Sequence, residues 1–138
     1  MQLVDVSGDA GRIDSGNIFA QIGGNFGGYL SEHDSMTMTV RFLDENGDPI
    51  GDPVDVGGDQ SRGGFTVIYQ NVAFVNIPQG TRSFEVVLSA DHETGSYTDG
   101  YADNLFITLS ERVTESIAIN LTPVNDAGVP QSDQFTTD

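Results

Sequence analysis

The chain contains no cysteine, so it can build neither a disulfide scaffold nor a thiolate metal site. That absence assigns no compartment by itself. Positive charge is scarce as well: 5 Lys plus Arg face 21 Asp plus Glu over 138 residues, a formal net charge of −16. Nucleic acid and anionic membrane surfaces are therefore not expected as partners, because either would meet like charge. No apolar run approaches the roughly 20 residues that a membrane-spanning helix needs, so direct membrane insertion is not expected. The basic-then-apolar layout of a signal peptide is missing, and Met1 runs straight into QLVDV, as in a module cut from a longer chain. There is no G-x-S-x-G elbow and no phosphate loop. Carboxylates are too abundant for any pair to mark a glycosidase, and no enzymatic activity is expected.

What is present describes a β-rich domain with many tight turns. There are 17 glycines, and Asp, Thr and Val are frequent. Met36 to Phe42 alternates cleanly, with Met36, Met38, Val40 and Phe42 on one face. Asn46-Gly47 then signals a reversal, and Ile50 to Val56, interrupted by Pro53, reads as a weak or edge strand. Gln2 to Val6, Ile18 to Ile22, Phe65 to Tyr69, Val72 to Ile77, Phe84 to Ala90, Leu105 to Leu109 and Ser116 to Leu121 supply further short strands. The second of these is expected to end at Gly23-Gly24, and the chain to change direction near Gln70-Asn71. In Phe84 to Ala90 the inward residues are Phe84, Val86, Leu88 and Ala90. Ser7 to Gly16 is a loop with a turn of helix near Arg12, and Gly57 to Gly64 (GGDQSRGG) is the least structured interior segment. With no helix-period stretch of useful length, the pattern predicts an all-β fold, an antiparallel two-sheet sandwich or jelly roll. Residues 1–122 form that module; 123–138, polar and with two prolines, read as a linker or the start of a next repeat.

The stretch from Gly95 to Leu109 (GSYTDGYADNLFITL) carries the main chemical expectation. Asp99, Asp103 and Asn104 cluster where a polar loop becomes an apolar strand. Ca²⁺ takes six to eight oxygens from carboxylates, amides, carbonyls and water, and two aspartates four apart in a loop can turn onto one ion. The alternative is that they make Asx turns capping a hairpin. Asp34, at another loop-to-strand junction, is a distant candidate ligand, with Asp91 and Glu93 as further ones. The Asp44 loop has oxygen spacing reminiscent of an EF-hand, but Pro49 stands where Gly is needed and the flanks are strands, so a plain acidic hairpin is expected. Two histidines without cysteine make zinc an unfavourable reading. Tyr29, His33 and Tyr101 sit in or beside Gly-rich loops, as ligand-facing groups or, for Tyr101 especially, as loop anchors. Arg82 is expected to pair with a neighbouring acid.

The residues Pro78, Gly80, Thr81, Arg82 and Ser83, followed by an alternating strand and the run DGYADNL (Asp99 to Leu105), resemble the closing half of galactose-binding-like jelly-roll modules of bacterial extracellular proteins. Gly27-Gly28-Tyr29, Asp34, the strand ending at Phe42 and Asn46-Gly47 extend the likeness over about Val4 to Leu109. The resemblance implies a structural Ca²⁺ near the terminal strands, held by Asp99, Asp103 and Asn104 with Asp34 facing it, and glycan binding through loops at one end. Such modules usually begin with additional strands before the segment matching Leu3 to Ser7, so N-terminal strands are missing or supplied elsewhere in the parent. The tail TPVNDAGVP (Thr122 to Pro130) resembles junctions between cadherin-like or immunoglobulin-like repeats of large calcium-dependent RTX-type adhesins, with Gly128 where Pro is usual. Together these imply an extracellular module of a bacterial surface adhesin. Its partners would be neighbouring domains of the same adhesin and a cell-surface glycan or protein. The rival readings are a passive spacer and a noncatalytic carbohydrate-binding appendage of a secreted hydrolase.

Overall fold

The computed structural model describes residues 1–93 and 95–112. Among these, seven strands form two antiparallel sheets: β1 (Gln2–Asp5), β2 (Ile18–Gly28), β3 (Ser35–Leu43), β4 (Pro49–Gly57), β5 (Val67–Asn76), β6 (Ser83–Asp91) and β7 (Gly100–Glu111). One sheet has the order β1-β6-β3-β4 and the other β5-β2-β7. A 3-10 turn (Ser7–Asp9) and one short helix, α1 (Ala10–Asp14), lie between β1 and β2. The architecture is an all-β, two-sheet sandwich, as the alternation predicts. The expected strand Ser116 to Leu121 and the linker at 123–138 lie outside the described residues.

The core forms where inward faces meet. Ile18, Ala20, Ile22 and Phe26 of β2 pack on Met38, Val40 and Phe42 of β3 and Phe84 of β6, all buried. Phe42 and Phe84 are directly opposite and meet edge to face, ring centroids 5.5 Å apart at 83°. Two strand expectations change. β2 does not stop at Gly23-Gly24 but runs through every glycine to Gly28, and β5 runs unbroken through Gln70-Asn71. Glycine is a weak strand former, yet here bare backbone is needed: a Cβ on Gly23 would sit 2.9 Å from the Phe106 ring, and one on Gly27 would strike the Val67 carbonyl. Contrary to the expected inward alternation, Leu88 is 44% exposed and Ala90 is also exposed.

Turn chemistry agrees with the sequence. The Asp44 carboxylate accepts from the backbone N–H of Asn46 (2.8 Å) and Asp48 (2.9 Å), and Gly47 has φ +82°. β4 is an edge strand, with its register against β3 shifting between Val40 and Phe42, the stretch that accommodates Pro53. Arg82 finds its acid in Asp14, donating to both carboxylate oxygens at 3.1 and 2.6 Å, while Gly80 N–H donates to the same carboxylate at 2.8 Å.

Two outcomes check this account. Gly57 has φ +96°, and a Cβ there would come within 2.5 Å of the Met36 carbonyl and 2.6 Å of the Phe26 ring. Gly57→Ala is expected to lower unfolding free energy by more than about 1 kcal/mol in denaturant titration. Asp14 is held below its ordinary value of 3.8, chiefly by the Arg82 hydrogen bonds and then by Gly80. A carboxylate whose folded pKa is depressed contributes stability that is present above the unfolded value and lost as pH falls through the folded one. Asp14→Asn should therefore melt below the parent at pH 7, with the difference shrinking once pH drops below about 4.

Candidate metal centre

At one end of the sandwich the chain leaves β2 at Gly28, turns through Tyr29 to Asp34 and enters β3. Three strands later it leaves β6 at Asp91 and returns through the 92–99 loop into β7. The turn after β2 is tight: Glu32 N–H donates to the Tyr29 carbonyl at 3.1 Å, and Leu30 adopts φ +48°, unusual for a branched side chain. Leu30 is held there from both sides. Its N–H donates to Thr66 Oγ1 at 3.1 Å, and its carbonyl accepts from Arg62 Nε at 3.2 Å. At the other side of this end, Gly100 lies against the backbone of Ser35, where a Cβ would come within 2.7 Å of the Ser35 carbonyl carbon. Glycine at the start of β7 thus lets the 92–99 loop approach the start of β3.

The consequence is a convergence of three carboxylates. Oxygens of Glu32, Asp34 and Asp99 lie within 4.8 Å of one another. Asp34 is 0% exposed and accepts from the N–H of Glu93 (2.7 Å), the N–H of Asp99 (3.1 Å) and His92 Nδ1 (3.0 Å). The His92 Nε2 lies 3.2 Å from the Gly95 carbonyl. Both ring nitrogens face acceptors, an arrangement that favours the doubly protonated imidazolium. Its pKa is raised, first by the Asp34 hydrogen bond. Glu32 has a different environment. Its Oε2 is buried without a hydrogen-bond partner, and its pKa is raised by desolvation first, then by the contact with Asp99 and the charges of Asp99 and Asp34.

Three carboxylates with one imidazolium leave an excess of negative charge in a partly dewatered space, which a divalent cation would neutralise. The orphaned Glu32 oxygen is an acceptor without a donor, the condition a metal ligand meets. Glu32, Asp34 and Asp99 can therefore coordinate a metal ion. All-carboxylate oxygen donors suit a hard cation, with carbonyls and waters completing the shell.

Of the residues the sequence singles out, Asp34 and Asp99 come together here. Asp103 and Asn104 do not: β7 begins at Gly100, so both are strand residues, exposed on it. Asp103 is opposite Asn25, and Asn104 and Leu105 together face Gly24 in a bulge where Asn104 takes φ +50°. The Asp103 carboxylate accepts from the N–H of Asn104 at 2.8 Å. Glu93 contributes its backbone N–H rather than its carboxylate, and Asp91 is paired with Ser35 at the end of β6. Sequence reasoning passed over Glu32, although Glu32-x-Asp34 within one polar break was the available signal. His33 stands at the rim, its Nδ1 2.8 Å from Asp59, which raises its pKa. Tyr29 is partly exposed beside the same turn, whereas Tyr101 lies on β7 opposite Gly27. No known protein family matches this chain, and no curated protein or solved structure shows significant similarity to it.

The two roles separate experimentally. Asp34→Ala leaves two backbone donors and an imidazolium without their acceptor, and should cost about 2 kcal/mol or more in EDTA as well as in metal. Glu32→Gln removes charge where charge is disfavoured. It should melt above the parent in EDTA at pH 7 and gain less from added metal.

Proposed function

We propose that this chain is a calcium-stabilised module of a bacterial surface adhesin, of the galactose-binding-like jelly-roll kind. It contributes to adhesion by presenting the loops at its Glu32–Asp34–Asp99 end to a glycan or protein, or by holding a neighbouring binding module in position. The observation that carries this reading is the convergence of those carboxylates around a buried oxygen without a donor. The charge of −16 supports it, since divalent cations relieve repulsion that five basic residues cannot. So does the nature of the donors: carboxylate oxygens are what Ca²⁺ selects, and the absence of cysteine removes the softer alternatives.

In this reading the ion acts as a clasp. It ties the turn after β2 to the loop before β7, so the rim formed by Tyr29, His33 and the 57–64 segment is ordered before a partner arrives. Calcium contributes charge neutralisation and geometry, while Asp34 already fixes the loop backbone through its N–H contacts. The setting is extracellular, where calcium is abundant, with other domains of the same adhesin on either side.

Because only the folded chain assembles the site, calcium at one hundred times its dissociation constant should add about 2.7 kcal/mol of stability. That corresponds to a rise in melting temperature of roughly 10 °C for a domain of this size. Melting in EDTA, in millimolar calcium and in millimolar magnesium checks it. No rise in calcium, or an equal rise in magnesium, would remove the calcium assignment.

A further inference from the structure

Arg62 is the one buried arginine of the described residues, whereas Arg112 is exposed and donates to the Asn76 side-chain oxygen at 2.8 Å. Arg12, Arg41 and Arg82 all pair with carboxylates at the surface. Arg62 is only 6% exposed, and among the described residues it has no carboxylate partner. Its one hydrogen bond runs from Nε to the Leu30 carbonyl, at 3.2 Å. Among the described residues its two terminal nitrogens have no hydrogen-bond acceptor, and they are not sealed from water but open on a pocket. A largely buried guanidinium with no carboxylate beside it keeps its fork of donors available to an anionic ligand.

The surroundings are built to hold that guanidinium in place. It lies flat over Gly28, where a Cβ would come within 2.8 Å of Cζ and 2.9 Å of both terminal nitrogens. Any side chain at position 28 would displace it. Arg62 lines a pocket of about 360 Å³ beside the carboxylate cluster, together with Leu30, Ser31, Asp59, Gln60 and Ser61. That volume is in the range of small-molecule sites, about 300–1,000 Å³. The pocket's histidine, His33, is already paired with Asp59 at 2.8 Å.

We propose that this pocket binds a carboxylate-bearing sugar, a uronate unit, with its carboxylate held by the terminal nitrogens of Arg62. The guanidinium fork matches one planar carboxylate. Glu32 and Asp59 line the same pocket and would repel a dianionic phosphate more strongly than a monoanion, while accepting bonds from sugar hydroxyls. Ser31, Ser61 and Gln60 supply further polyol partners, and the partly exposed Leu30 side chain offers a surface to the ring's C–H face. A peptide C-terminus would also present a carboxylate, and the titration below distinguishes it from the sugar. The inference deepens the glycan-binding part of the proposed function and rests on it.

The test titrates the calcium-loaded protein with galacturonate, galactose, inorganic phosphate and a short peptide with a free C-terminus, followed by amide chemical shifts. Galacturonate should saturate, with shifts at Gly28, Leu30 and Gly63, and galactose should bind at least about tenfold more weakly, since hydrogen bonds to charged groups supply about 1.5–3 kcal/mol. Arg62→Gln should lose about tenfold in galacturonate affinity. If that variant does not fold, Arg62→Lys keeps the charge but not the fork and should still bind more weakly than the parent. Equal binding of galactose, undiminished binding in both variants, or tighter binding of phosphate or of the peptide would overturn the proposal. Melting the same samples with and without calcium separates the two readings. A calcium-dependent rise without galacturonate binding removes the uronate site and leaves the calcium-stabilised module standing.

Discussion

A single buried carboxylate, that of Asp34, organises one end of this sandwich. Removed from water, it requires donors, and it takes them from the backbone of Glu93 and Asp99 and from His92. Those donors lie 58 to 65 positions later in the chain. The loop before β7 is thus shaped by a residue at the start of β3 rather than by its own sequence. Asp99 is carried to within reach of Glu32 as a result, and the three carboxylates converge. The electrostatic tension that this creates, a buried Glu32 oxygen without a partner and a raised pKa beside two other carboxylates, is what a bound cation would relieve.

Glycine makes the convergence sterically feasible. Gly100 lets β7 start against Ser35, Gly57 lets the end of β4 lie on the Phe26 ring, and Gly28 lets the Arg62 guanidinium rest on backbone. Each is a place where two segments approach more closely than a Cβ allows. The three sit around the same end of the sandwich, so the spacing of the loops there is set by backbone contact. At that end a carboxylate cluster and a largely buried guanidinium lie side by side.

That pairing of opposite characters links the two proposals. The cluster concentrates negative charge that a divalent ion would neutralise, and the neighbouring pocket contains a positive group that a carboxylate would neutralise. In the proposed setting both partners are small, common and extracellular.

Much of the fold was legible in the residues. The alternation of Met38, Val40 and Phe42, the Asn46-Gly47 reversal and the need of Arg82 for an acid are local or charge-driven properties, and the structure follows them. The glycines of β2 misled because their weak strand propensity is local, whereas the Phe106 ring and the Val67 carbonyl that require bare backbone come from other strands. Asp103 and Asn104 looked like loop ligands because polarity alone does not distinguish an exposed strand edge from a loop. Composition and periodicity by themselves determined a cysteine-free, strongly acidic β-sandwich, since burial of alternating apolar side chains depends only on pattern. Which carboxylates meet, and which arginine is buried, was decided by tertiary structure, because those distances depend on how far-separated turns are brought to one end.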